Sequence, residues 1–399
     1  MIRSLFQRSI TLFMGLAAGK VLSTIIFILL ARTLLPESFG QILFLATFLQ
    51  IVTVLADFGL VQWYQAHYEK EKDHFLFHRI LRARLLTLIV SAVAAFTFLT
   101  LTRTFPLPVI VLLIFTLLPD SLLSIGDAYY LPRQKTKAIS YKNPSRMLII
   151  LAGYLLTQKF FNLEIAACLF LFSSLITAIW FFPWKVLKDW FSFNLMESYE
   201  TLKSSATFAF LIVTSFLYAR SDSFVIQYSL GSGALGIYGA AYRYLESLSL
   251  LPTALAQNLF PLAARKGFIT ATQLQKIFAI MAVLGLVLAT GLYFSAELLT
   301  TTLLGVNYSA ASPLVRVFSF VVLLFFINSP LSMVVQSSSL VKKFLPFGMI
   351  NTLLNIGGNL FLIPQYGIIA AAWMMVVTEL TGFLINCLFV LKVYSPKNT

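Results

Sequence analysis

Nine ionisable side chains interrupt otherwise apolar stretches of this sequence: Lys20, Asp57, Asp120, Asp127, Arg220, Asp222, Arg243, Glu246 and Glu379. A charge inside hydrocarbon costs about 2.5–3.5 kcal/mol on insertion scales, so such groups normally face a bundle interior or a wet cavity. Lys20, Arg220 and Arg243 are the cations of the set. Held at one depth, they suit a phosphate or pyrophosphate group, which guanidinium grips in bidentate fashion. Arg243 and Glu246 stand three apart and can touch on a helix, either as a static bridge or as a switch that opens when an anion competes for Arg243. Asp222 lies two residues from Arg220 and points to the other side of its helix. Asp222, Glu246 and Glu379 are candidates for gating or for carrying a coupling proton or sodium ion. Asp120 and Asp127 share a face at i, i+7 and, with Asp57, are candidates for lining a cytoplasmic vestibule. Structural ion pairing is the plainer reading for Asp57 and Asp127.

Other chemistries find less support. His67, His74 and His78 all fall in "HYEKEKDHFLFHRILRAR". His74 and His78 have the i, i+4 spacing of zinc ligands, but nothing nearby completes a set. The segment reads instead as a solvated interfacial helix, and no metal site is expected. No Ser-His-Asp or Cys-His arrangement stands out, so neither catalytic residues nor a cofactor are expected, and the chain is not read as an enzyme. Cys168 and Cys387 read as small buried hydrophobes. "GSGALG" (Gly231 to Gly236) fits G-x-G-x-x-G, but a dinucleotide site needs a strand before it and a soluble βαβ unit around it. These glycines lie between two apolar helices, where a turn that ends one helix and starts the next is the simpler account.

The elements that must position these groups are membrane helices. Of 399 residues, 59% are hydrophobic and 11% charged, against about 25% charge in a soluble domain. Apolar runs of about 20 residues, long enough to cross a bilayer, recur from end to end. Spans are predicted to begin near Ser9, Gly40, Leu85, Pro108, Met147, Glu164, Ala206, Gly236, Ile277, Pro313, Phe344 and Gly367. The prediction is an all-α polytopic membrane protein of about twelve helices, beginning with an uncleaved span rather than a secretory signal. With both termini in the cytoplasm, most basic residues fall in cytoplasmic segments: Arg3, Arg8, Lys72, Arg79, Arg82, Arg84, Lys142, Arg146, Arg265 and Lys266 are among them. Arg32, Arg103, Lys159 and Arg316 fall outside, near helix ends. That asymmetry follows the positive-inside rule and accounts for the net charge of +14 without nucleic acid.

The chain also repeats itself. "LLPESFG" (Leu34 to Gly40) and "LGSGALG" (Leu230 to Gly236) join corresponding pairs of spans at an offset of 196 residues. "LEIAA" (Leu163 to Ala167) and "GIIAA" (Gly367 to Ala371) open the last span of each half. Six helices per half, 1–200 and 201–399, return the chain to the same side, so the halves are read as two pseudo-symmetric bundles around a central cavity.

The stretch "GKVLSTIIFILLARTLLPESFGQILFLATFLQIVTVLADFGL" carries an L-A-R-x-L-x-P-x-x-F-G turn, at Leu30, Ala31, Arg32, Leu34, Pro36, Phe39 and Gly40, and then a D-x-G-L ending at Asp57, Gly59 and Leu60. It resembles the opening of bacterial polysaccharide-biosynthesis membrane proteins of the O-antigen flippase type. "RSDSFVIQYSLGSGALGIYGAAYRYLESLSLLPTALAQNLFP" continues the likeness through Asp222, Leu230, Gly231, Gly236, Tyr238, Tyr242, Arg243 and Pro261. The resemblance implies the fold of the multidrug/oligosaccharidyl-lipid/polysaccharide exporter group. It implies flipping of an undecaprenyl-pyrophosphate-linked oligosaccharide across the bacterial inner membrane, for O-antigen, capsule or exopolysaccharide. A polymerase and a chain-length regulator are implied partners. Rival readings are a multidrug cation antiporter of the same group, which would rely on acidic cavity groups, and a non-transporting scaffold for glycan assembly. A peptidoglycan-precursor flippase is expected to have fourteen spans, and a membrane glycosyltransferase would need an acidic sugar-nucleotide motif.

Overall fold

A computed structural model describes residues 2–71, 74–133, 135–189, 194–263 and 270–394. Lys72, Arg265 and Lys266 lie outside the described residues, as do the side chains of Arg3, Arg8 and His74. The helices run α1 (Ile2–Thr33), α2 (Pro36–Asp57), α3 (Leu60–Glu71), α4 (His74–Thr102), α5 (Leu107–Tyr130), α6 (Thr136–Thr157) and α7 (Leu163–Phe181). They continue with α8 (Leu195–Leu248), α9 (Leu250–Ala263), α10 (Ala271–Leu298), α11 (Ser312–Ser337), α12 (Val341–Tyr366) and α13 (Ile368–Val393). Among the described residues there is no strand. A closed set of helices satisfies every backbone polar group within its own segment, as a bilayer demands.

Ten stretches of the described chain are long and apolar enough to cross a membrane. One of them, Leu195–Ala256, runs 62 residues, about 90 Å of helix against a hydrocarbon core of about 30 Å. Its long helix α8 is broken at Gly231, where φ of 85° and ψ of 176° leave the helical region. Helix α6 is absent from the ten because Lys137, Lys142, Asn143 and Arg146 crowd its first half. Its start at Thr136 precedes the expected Met147 by three turns, since those polar residues are helical rather than part of a loop.

The described chain forms two compact units. The first holds residues 1–27 and 44–216. In it α5 packs on α4 and α7, and α6 on α7. Gly15 and Gly19 bring α1 directly against α6 at Ser140 and Asn143. The expected solvated helix around the histidines is instead part of this unit's interior. Leu76, Phe77, Ile80 and Leu81 pack with Trp63 and Tyr64, and His78, Arg82 and Arg84 are buried. The basic groups are tolerated because each is matched. Glu197 bridges Arg82 at 2.6 Å and Arg79 at 3.3 Å, and Arg84 pairs with Asp57 at 2.5 Å. Arg84 also donates to Ser121 Oγ at 2.8 Å, and Ser124 donates to Asp57 at 3.4 Å. Asp57 thus anchors the corner from α2 to α3, and the adjoining Gly59, at φ 69°, lies against the α8 backbone at Phe208 and Ala209.

The second unit holds residues 28–43 and 217–399. Helix α11 packs on α10 and α13, and α12 on α13. The start of α2 lies against the α8 arm after Gly231 in a crossing with no room for side chains. A Cβ on Gly40 would overlap the Ser232 carbonyl, and one on Gly236 would overlap the Pro36 carbonyl. Such contact lets two backbones approach as only small residues allow. The ring of Tyr308 stands edge-on to Phe39 at 5.8 Å, its hydroxyl donates to the Leu34 carbonyl at 3.1 Å, and Arg32 donates to the Thr302 carbonyl at 2.9 Å.

Two consequences are measurable by thermal melting of the purified protein in detergent. Gly236→Ala is expected to destabilise it by about 1–3 kcal/mol, the usual range for overpacking. Gly233→Ala is expected to be nearly neutral, because a Cβ there meets nothing within 4 Å. Arg84→Met alone is expected to cost about 3–5 kcal/mol, since it leaves a buried carboxylate without its partner. Adding Asp57→Leu to Arg84→Met should recover most of that loss; no recovery would mean that the pair does more than cancel charge.

Candidate functional site

The arms of α8 on either side of Gly231 bring the sequence-predicted C-terminal residues together. Arg220 comes from the first arm and Arg243 from the second, and a single carboxylate, Glu246, holds both. Its Oε1 lies 3.4 Å from Arg220 and its Oε2 lies 2.7 Å from Arg243. All three side chains are half-buried. The Arg220 guanidinium also sits 5.2 Å from the centre of the Tyr242 ring, and cation–π attraction adds to its placement. Tyr242 in turn stacks beside Tyr238 at 6.0 Å, and Phe318 closes on both rings.

Asp222 is buried one side-chain layer away. The Tyr238 hydroxyl donates to its Oδ2, and the Ser223 backbone N–H donates to its Oδ1 at 2.6 Å. Both of its oxygens are therefore engaged by neutral donors, which is how a buried carboxylate is kept without a cation in contact. Glu379, on α13, is buried separately and accepts from the Tyr218 hydroxyl at 2.8 Å. It lines a cavity of about 320 Å³ with Asn328, Ser329, Ser332 and Gln336. Lys20 lies half-buried on α1, in the first unit, whereas Arg220 and Arg243 belong to the second.

The first unit has a cavity of its own, about 410 Å³, in whose wall are Asp120 and Asp127 of α5 and Lys142 and Arg146 of α6. Lys142 pairs with Asp127. Arg146 pairs with Asp120 at 3.0 Å, and Ser174 donates to the same carboxylate at 2.7 Å. Lys142 and Arg146 were expected in the segment before the fifth span; they are helical residues on a cavity wall, because α6 begins eleven residues before the expected span start at Met147. Asp57 is not among the lining residues, being turned to Arg84.

Sequence reasoning also missed a ladder of amides. Asn351, Asn355 and Asn359 recur at i, i+4, i+8 along α12 and are buried. Asn351 donates to the Thr378 carbonyl at 3.0 Å, Asn355 to Thr378 Oγ1 at 3.3 Å, and Asn359 to Asn355 at 3.1 Å. Ser221 of α8 donates to Asn355 at 3.3 Å. The spacing alone was the available signal, since three amides on one stripe of a membrane helix need partners. Outside the apolar spans, burial pushes the Tyr64 hydroxyl above its usual titration range, opposed by Arg133, which donates to it at 2.9 Å.

Comparison with known proteins gives the same fold. The MurJ lipid II flippase in an inward closed conformation superposes with a TM-score of 0.80 and 16% identity, over 98% of this chain and 89% of that one. An inward-facing multidrug resistance MATE transporter of the MOP superfamily gives a TM-score of 0.72 and 13% identity, over 98% and 96%. A MOP superfamily transporter from Pyrococcus furiosus, whose binding pocket is described as reversed in polarity, gives 0.61 and 12%, over 97% and 95%. No curated protein sequence matches. At these identities the structures establish a transporter fold. The polysaccharide biosynthesis protein family matches residues 5–267, about two-thirds of the chain. With a multi-pass helical body, that fold and that match, the chain belongs to the polysaccharide biosynthesis protein family.

Proposed function

We propose that this protein is a flippase that carries an undecaprenyl-pyrophosphate-linked oligosaccharide from the cytoplasmic to the periplasmic leaflet of a bacterial inner membrane, for cell-surface polysaccharide. The observation that carries this reading is the pair of guanidiniums sharing one carboxylate: Arg220 and Arg243 on Glu246. Two guanidiniums on one carboxylate leave donor capacity for a second anion, and each presents a planar fork suited to a phosphate. A pyrophosphate entering the site competes with Glu246 for both. The carboxylate is then a placeholder that keeps the guanidiniums paired between transport events, when unmatched charge in the membrane would be costly. Lys20 is proposed to supply a third cation.

The reading takes the chain as twelve crossings in two halves, 1–200 and 201–399, counting the two arms of α8 separately and including α6, with both termini cytoplasmic. Transport proceeds by alternating access: the pyrophosphate docks on the cations, the isoprenoid tail stays in the bilayer, and rocking of the halves exposes the glycan outside. Asp222, Glu246 and Glu379 are proposed for gating or ion coupling. Glu379 fits that role best, because its partner is the neutral Tyr218 hydroxyl, so gain or loss of its charge breaks no ion pair. The MurJ likeness supports a lipid-linked cargo, and the family supports a glycan pathway. A polymerase and a chain-length regulator are the proposed partners. No chemical step is assigned to the chain itself.

Deletion of the gene is expected to cause a lipid-linked oligosaccharide to accumulate on the cytoplasmic leaflet, measured by its protection from a membrane-impermeant oxidant of sugar diols. Wild type should relieve the accumulation, and Arg220→Ala or Arg243→Ala should reduce relief at least tenfold. Glu246→Gln should retain pyrophosphate binding, since it removes only the competing anion. Absence of accumulation, with drug sensitivity in its place, would instead favour a cation antiporter.

A further inference from the structure

The cavity of the first unit has a composition unlike that of the Arg220–Arg243 cluster. Its two carboxylates and two cations are already paired within the wall, Asp127 with Lys142 and Asp120 with Arg146. The wall is formally neutral, so it offers no net attraction to a multiply charged phosphate. The wall also carries apolar residues, Leu49, Val54, Leu123 and Phe170 among them, but an isoprenoid chain laid against the paired charges would bury them without new hydrogen bonds, which is costly. Yet it is densely functionalised: carboxylate oxygens accept, while ammonium and guanidinium donate. The amides of Gln50 and Asn143, which do both, face the same space. Among the described residues neither amide has a side-chain hydrogen bond, whereas Thr53 beside them is spent on the Leu49 carbonyl at 2.8 Å.

A sugar ring is the ligand class that matches alternating donors and acceptors. Each hydroxyl both donates and accepts, and two neighbouring hydroxyls present the bidentate spacing that a carboxylate or guanidinium reads. The C–H faces of the ring need an apolar surface, which Met147 and Ile150 supply on the same helix as Lys142 and Arg146. The volume, about 410 Å³, falls in the range of about 300–1,000 Å³ that small-molecule sites occupy. The placement of these polar residues points the same way. They are what keeps α6 from being apolar enough to count as a span, and a helix packed against membrane helices retains such residues at a cost. One donor in the wall, Arg146 Nε, is buried without a hydrogen-bond partner. The pairing of Arg146 is thus incomplete, as expected of a group set for a ligand rather than solely for its carboxylate.

We infer that this cavity of the first unit, lined by Gln50, Asp120, Asp127, Lys142, Asn143 and Arg146, is a glycan-binding site that reads the neutral hydroxyls of the transported sugar, separately from the pyrophosphate held on Arg220 and Arg243. The inference rests on the lipid-linked oligosaccharide reading. It divides the cargo between two chemistries: charge recognised in one place and hydroxyl pattern in another.

The test uses the full-length protein in lipid nanodiscs free of sugar-headed detergent, with binding followed by intrinsic tryptophan fluorescence. Two probes are compared: inorganic pyrophosphate, and the repeat-unit oligosaccharide released by mild acid from the lipid pool of the deletion strain. Gln50→Ala combined with Asn143→Ala is expected to weaken oligosaccharide binding at least tenfold and to leave pyrophosphate binding within twofold, which also certifies the fold. Arg220→Ala is expected to do the reverse. Oligosaccharide binding that is absent in wild type up to about 10 mM, or that is unchanged in the double variant, overturns the glycan site. Equal loss of both probes in the double variant overturns it as well. Failure of wild type to bind pyrophosphate overturns the flippase reading instead, whatever the oligosaccharide does.

Discussion

The interior of this protein depends on charge matching: among the described residues, the cations buried between helices are for the most part met by carboxylates. Arg84 has Asp57, Arg82 and Arg79 share Glu197, Lys142 has Asp127, and Arg146 has Asp120. In a medium of low dielectric the attraction between such partners is strong, but removing both from water consumes most of it. The net gain is small, and the penalty for losing one partner is large. These pairs therefore fix which helices belong together more than they add stability. They tie α4 to α2 and α8, and α6 to α5, with angular precision that apolar contacts between lipid-like side chains do not provide.

The Arg220–Glu246–Arg243 triad repeats the two-to-one sharing seen at Glu197 with Arg79 and Arg82, but it joins the two arms of α8. One carboxylate serves two guanidiniums, and the adjacent Asp222 spends its oxygens on Tyr238 and Ser223. Nearby Glu379 inverts the pattern, an acid whose partner is a neutral phenol. In the second unit the Glu246 cluster and Glu379 are joined by the short run from Tyr218 to Asp222 on one helix. The first unit shows no such imbalance in its cavity, where acids and bases are equal in number. The separate sites proposed for pyrophosphate and glycan rest on this difference between the Glu246 cluster and the first unit's cavity.

Much of the helical body was legible from composition and from apolar run length, because the bilayer leaves few alternatives for a chain so poor in charge. The pairing of Arg243 with Glu246 was legible from their i, i+3 spacing, and the turn expected at "GSGALG" agrees with the break in α8 at Gly231. The misses share one cause. Where polar residues continue a helix past its apolar run, sequence reading assigns them to a loop. Lys142 and Arg146 were placed before the fifth span rather than in its helix for that reason, and the stretch from His67 to Arg84 was read as a solvated interfacial helix. Their acidic partners lie far along the chain: Glu197 is 115 residues from Arg82, and Asp57 is 27 from Arg84. Local spacing carries no trace of such pairs. The amide ladder on α12 had a local signal in its four-residue spacing, but its acceptor Thr378 is on another helix.

The crossing between Gly40 and Gly236 has a consequence of a different kind. Gly40 abuts Ser232, Gly236 abuts Pro36, and each contact becomes the other when 196 is added to one residue number and subtracted from its partner. Leu43 and Gly239, also in contact, are a pair that this exchange maps onto itself. A contact set that is its own mirror under exchange is the signature of an isologous interface, the kind by which two identical subunits dimerise around a two-fold axis. Within one polypeptide it is the geometry expected when a self-pairing ancestor is duplicated and fused. The side chains around the crossing do not follow the exchange: Phe39 corresponds to Leu235 at the same offset. Neither Gly40 nor Gly236 can gain a side chain alone, because the space beside each is the backbone of the other's helix.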